Sequence, residues 1–137
     1  MSMDIAGLIK HAITARENAY TPYSNFRVGA ALLTAGGKIY QGSNIENAAY
    51  SPTCCAERTA FFTAISAGER AFAAIAVAGW PEKGPPGLAF PCGVCRQVMM
   101  EFCAPDTFII IVAESENSYK SFTLGQLLPE GFGPASL

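Results

Sequence analysis

Two short segments carry the side chains best suited to chemistry. Cys55-Ala56-Glu57 and Pro91-Cys92-Gly93-Val94-Cys95 each stand where a helical periodicity begins. Cys92 and Cys95 lie three apart, so one helical turn aims both sulfurs the same way. With Cys55 they make three ligands for one tetrahedral zinc ion. Three protein ligands leave the fourth position to water, which distinguishes a catalytic zinc from a structural one. Glu57 follows its cysteine by two residues, too close for both to ligate comfortably but placed to receive a proton from metal-bound water. Zinc can lower the pKa of such water from about 15.7 to about 7.

Arg58 answers a charge problem in this arrangement. Three thiolates around a dication leave a net negative site, which makes the water a weaker acid. Two helix N-termini supply roughly half a positive charge each, and a guanidinium about 4 Å from a thiolate adds up to about 4 kcal/mol at an effective dielectric near 20. The other candidate ligands fit less well. Cys103 lies about 12 Å along a continuous helix from Cys95, at about 1.5 Å per residue, and reads as a buried small hydrophobe. Cys54 has the wrong offset to Glu57 and is left out of the metal shell, and His11 has no motif around it.

The elements that must position these residues follow from pattern. Ile5, Leu8, Ile9, Ala12 and Ile13 repeat at helical spacing, predicting a helix over 3–19 that ends in a turn at Tyr20 to Asn25. Phe26 to Thr34 and Lys38 to Gly42 read as a hairpin. After a loop over 43–53, residues 55–67 read as a helix stopped by Gly68. Phe72 to Ala78 is a buried strand, and the stretch from Trp80 to Pro91, with four prolines, is a loop. A second helix over 92–103, a buried strand over 108–113, a short edge strand over 119–122 and a helical turn over 124–128 complete the chain. Strands alternating with helices beyond residue 54 predict a largely parallel section after the hairpin, hence an α/β fold, a mixed sheet with helices on both faces. No internal repeat or linker divides residues 1–137, which are expected to form a single domain.

Composition narrows the partners. Charged residues make up 15% of the chain against about 25% typically, and 50% are apolar. A chain so short of charge is expected to bury apolar area between subunits. A net charge of −2 without basic clusters excludes a nucleic-acid footprint, leaving a small molecule as the expected partner. No apolar run is long enough to span a membrane. Met1 to Asp4 show no leader pattern, so the cytoplasm is expected, and five cysteines without a secretion signal favour metal or reduced thiols over disulfides.

Four segments in order resemble the short, homotetrameric, zinc-dependent cytidine deaminases over nearly the whole chain: Tyr20 to Ala31 (YTPYSNFRVGAA), Gly42 to Tyr50 (GSNIENAAY), Cys55 to Ala60 (CAERTA) and Pro91 to Gln97 (PCGVCRQ). The zinc chemistry of such deaminases agrees, with three cysteines on the metal and a glutamate that is not a ligand. The resemblance implies a three-layer α/β/α sandwich, one zinc per subunit on Cys55, Cys92 and Cys95, and Glu57 as proton shuttle in hydrolytic deamination of cytidine or 2′-deoxycytidine for pyrimidine salvage. It further implies that Asn44 and Glu46 bind the ribose, and that Phe26 and Ala56 contact the nucleoside. Ala48, Tyr50 and Phe132 would complete a neighbouring subunit's site, and Arg58 would hydrogen-bond the cysteine sulfurs. The chain departs from the family between Trp80 and Phe90, where the loop is longer and Phe90 replaces what is often a small polar residue. Two other readings stand beside this one: deamination of another aminopyrimidine, and a zinc-stabilised binding module without catalysis.

Overall fold

The computed structural model describes residues 3–137; the reading of Met1 and Ser2 as free of a leader lies outside it. The strands are β1 (Phe26–Thr34), β2 (Ile39–Ser43), β3 (Phe72–Pro81), β4 (Ile109–Ser115) and β5 (Ser118–Thr123), and they form one sheet in the order β2-β1-β3-β4-β5. The helices are α1 (Ile5–Ala15), α2 (Ala56–Ser66), α3 (Gly93–Phe102) and the single turn α4 (Leu124–Leu127).

The sheet is mixed, but the expectation of a largely parallel section is corrected. Among the described residues only β3 and β4, joined through α3, run parallel; β1 pairs antiparallel with both β2 and β3, and β4 turns back into β5 as a second hairpin. The alternating order of helix and strand is the same for either arrangement, so pattern alone could not separate them. The strand that starts at Phe72 also runs past its expected end at Ala78. Nine residues of β1 offer ladder partners as far as the Phe26 and Pro81 pair, and Pro81 is tolerated there because β4 pairs with β3 only as far as Val77, which leaves Pro81 at an edge. Arg16 staples this end. Its Nε donates to the Arg27 carbonyl and its Nη2 to the Trp80 carbonyl, both at 3.0 Å, while the guanidinium lies 3.9 Å from the Trp80 ring centroid.

The two faces of the sheet bury different helices. On one, α1 sets Leu8, Ile9 and Ala12 against Ala31, Ala74, Ala76 and Ala78. On the other, Ala60, Phe61 and Ala64 of α2 and Cys95 and Met99 of α3 pack against Leu32, Ile75, Val77, Ile110 and Val112. These alternating inward residues give the three layers implied by the resemblance. The seat of α2 on β2 depends on Gly42. A Cβ there would collide with the Ala56 carbonyl oxygen and the Ala60 nitrogen, so only glycine lets the helix backbone come that close.

Candidate active site

The reactive residues converge where α2 and α3 begin. Cys55 and Cys92 are N-cap residues with extended backbone, at ψ 157° and 168°, and neither belongs to its helix. The expectation that one helical turn aligns Cys92 with Cys95 is therefore refined. The cap conformation of Cys92 folds its sulfur back over the first turn, where it accepts from the Cys95 amide at 3.5 Å. The Cys92 sulfur thus satisfies one of the orphan amides at the start of α3, whereas the Cys55 sulfur makes no such cap bond.

Cys55 Sγ lies 3.8 Å from Cys92 Sγ, and Cys92 Sγ lies 3.6 Å from Cys95 Sγ. All three sulfurs fall within 4.8 Å of one another. Sulfurs bound at about 2.3 Å around a tetrahedral centre sit about 3.8 Å apart, so this donor set fits zinc in both chemistry and spacing. Arg58 Nη2 donates to Cys55 Sγ at 3.3 Å, as the resemblance implied. Cys55 is held down to about 5, first by the hydrogen bond from Cys95 and then by Arg58, while Cys95 is pushed upward by the same shared proton and by burial. Arg58 is in turn raised by its bond to the Cys55 sulfur. Cys54 and Cys103 stay outside the cluster. Cys54 is held in a bridge to Ile45, and burial pushes the Cys103 thiol up to about 12.

Glu57, in the first turn of α2, is only 4% exposed. Burial, reinforced by the Cys55 charge, pushes its carboxyl up to about 7. It opens with Cys55, Cys92 and Ala56 into a cavity of about 140 Å³. Phe26 and Asn44 line the same cavity. Asn44 also ties down its wall: its Oδ1 accepts from the Val28 amide and its Nδ2 donates to the Phe26 carbonyl, both at 2.9 Å.

Glu46 opens instead into an adjoining hollow with Tyr23, Ser24 and Tyr50. Its carboxylate accepts from the Ser24 hydroxyl and from the amides of Tyr23 and Ser24. Ser24 Oγ accepts from the Phe26 amide at 3.0 Å, so a hydrogen-bonded path runs from Glu46 through Ser24 to the cavity wall. The Ser24 bond, more than any other contact, holds the Glu46 carboxyl below its ordinary value. Ala48, Tyr50 and Phe132 do not line the cysteine cavity within this chain. Tyr50 is 74% and Phe132 60% exposed, and Tyr50 is held at φ 63°, an uncommon conformation for a bulky residue.

Four wall residues escaped the sequence reading of the site: Val28, Val77, Ala89 and Phe90. Val28 was within reach, since it follows Phe26 by two on one strand and must share its face. Val77 required the register that sets β3 beside β1. Phe90 stood out only as an oddity two residues before Cys92.

The chain matches the family model described as the cytidine and deoxycytidylate deaminase zinc-binding region over residues 3–111. It is 48% identical to a protein named cytidine deaminase from Sporosarcina psychrophila, covering 98% of this chain and 96% of that one. It is 49% identical to another of that name from Halalkalibacterium halodurans, covering 95% of each. Among solved structures it superposes on a cytidine deaminase from Burkholderia pseudomallei with a TM-score of 0.85 at 47% identity, covering 96% of this chain and all of the other. With its three sulfurs spaced for zinc and a buried carboxyl beside them, the chain belongs to the zinc-dependent cytidine and deoxycytidylate deaminase family.

Proposed function

We propose that this chain, acting as one domain in the cytoplasm, hydrolyses the C4 amine of cytidine and 2′-deoxycytidine in pyrimidine salvage, releasing ammonia and the corresponding uridine. The observation that carries the reading is a buried Glu57 opening into the same small cavity as Cys55 and Cys92 of the zinc-fitting cluster. The full-length likeness to proteins named cytidine deaminase supports the choice of substrate.

Cys55, Cys92 and Cys95 would hold the zinc, which would supply Lewis acidity and make water a nucleophile at neutral pH. Glu57 takes the proton from the attacking water and passes it to N3 of the pyrimidine. Oxygen bonds to C4, Glu57 carries the second proton of that water from the new C4 hydroxyl to the amine, and the C4–N4 bond breaks to give ammonia and a C4 carbonyl. Arg58 spreads the charge of the thiolates through its bond to Cys55. Phe26 and Ala56 border the base, while Asn44 and Glu46 address the ribose hydroxyls. Ala48, Tyr50 and Phe132, exposed in the isolated chain, reach into a neighbouring subunit's site within a homotetramer.

A spectrophotometric cytidine assay on purified protein tests this, with Glu57→Ala and chelator-stripped protein as controls. Turnover is expected in the untreated protein only, returning to the stripped protein when zinc is added. Free cytosine, single-stranded DNA and an antibiotic aminopyrimidine nucleoside serve as competing substrates. A preference for any of these over cytidine, or zinc binding without turnover, overturns the reading.

A further inference from the structure

Phe90 sits in the loop that delivers Cys92 to the site, yet its side chain is part of the cavity wall. The ring has a backing. Phe122 of β5 packs against it with centroids 5.9 Å apart and planes at 59°, and Phe122 itself rests on the core beneath α2 and α3. The remainder of this apolar side is closely fitted. A Cβ added at Gly79 would meet Ala89 Cβ at 2.8 Å, Val28 Cγ2 at 2.9 Å and Phe26 Cε1 at 3.3 Å, so these side chains close over Gly79 and leave no room for a larger residue there. The cavity therefore combines a proton-handling side at Glu57 with an apolar wall of Phe26, Val28, Val77, Ala89 and Phe90, of which Phe90 is the most exposed.

The substrate has the same two sides. In cytosine, C4 is flanked by N3, which must face a proton donor, and by C5–H, which offers nothing polar. With C4 at the cysteine cluster and N3 toward Glu57, the C5 edge turns to the apolar wall. We infer that Phe90 sets the size limit at C5 of the pyrimidine, so that this enzyme selects cytidines with hydrogen or a very small group at that carbon. The inference rests on the proposed nucleoside deamination, and its test separates the two.

The measurement is kcat/KM for cytidine, 5-methylcytidine and 5-propynylcytidine with the wild-type protein and Phe90→Ala, accompanied by calorimetric affinities for uridine and 5-propynyluridine. In the wild type, efficiency should fall with each increase in C5 size. Phe90→Ala should raise the ratio of 5-propynylcytidine to cytidine efficiency by about ten- to a hundredfold, the range in which pocket size discriminates, and should improve relative binding of 5-propynyluridine in parallel. Phe122→Leu, which loosens the backing and leaves Phe90 in place, should shift both ratios part of the way. It also carries the test if Phe90→Ala does not fold. Ratios unchanged in the folded variants, while cytidine is still turned over, overturn the inference alone; no cytidine turnover by the wild type overturns the underlying reading.

Discussion

At the scale of single residues, the site depends on a few side chains with separable duties. Glu57→Gln keeps the shape of the first turn of α2 but cannot relay protons. Loss of a positioned acid-base group costs about 10² to 10⁴ in rate, so kcat should fall by that factor while metal analysis still finds one zinc per chain. Arg58 acts through Cys55, to which it donates at 3.3 Å. Hydrogen bonds to charged groups contribute about 1.5–3 kcal/mol. Arg58→Gln should therefore retain zinc but lose about tenfold or more in turnover at neutral pH, and turnover unchanged across the pH range would remove this role.

Glu46 links residue chemistry to pH. Its folded value is depressed, chiefly by the Ser24 hydroxyl, so the stabilisation it gives is present above the ordinary glutamate range and is lost as pH falls through the depressed value. Among the described residues no other carboxylate lines its hollow. Glu46→Gln should accordingly lower the melting temperature at pH 7, with the gap from wild type closing under acid conditions. A gap that stays constant down to about pH 3, below the ordinary glutamate range, would show that the carboxylate charge plays no part.

At the scale of elements, the site is the meeting of two helix starts with one end of the sheet. Cys55 and Cys92 lie outside α2 and α3 as caps, so their sulfurs move with the helices they begin. Gly42 fixes the height of α2 above β2. Gly42→Ala forces the helix backbone away, since its Cβ would otherwise overlap the Ala56 carbonyl oxygen. Overpacking of this kind costs about 1–3 kcal/mol. Because Ala56 sits between Cys55 and Glu57, zinc affinity should weaken together with denaturant stability; a stability loss with zinc affinity intact would mean that the site tolerates the shift.

At the scale of the whole molecule, a low-charge chain exposes Tyr20, Tyr23, Ile45, Tyr50 and Phe132. The proposed homotetramer covers such residues and lends Phe132 to a neighbour. Light scattering should then report about four chain masses, the value for a closed symmetric tetramer. Two variants with little activity, Glu57→Ala and Phe132→Ala, should recover part of it when refolded together, because some mixed sites would draw an intact Glu57 from one subunit and an intact Phe132 from another. No recovery in verified mixed oligomers would place Phe132 outside the shared site.

The cysteine cluster and the inventory of elements were legible from the chain alone. Cysteine spacing, the offset of Glu57 and apolar periodicity are local, and they named the zinc donors, the helices and the strands to within a few residues. The order and direction of the central strands were decided by tertiary structure, because β3 pairs antiparallel with β1 and parallel with β4 through contacts far apart in the chain. The same holds for the cavity wall. Val77, Ala89 and Phe90 belong to the site only once β3 is registered against β1 and the proline-rich loop is folded over it. Sequence spacing speaks for side chains that share one turn or one strand, whereas a pocket is closed by surfaces that only packing brings together.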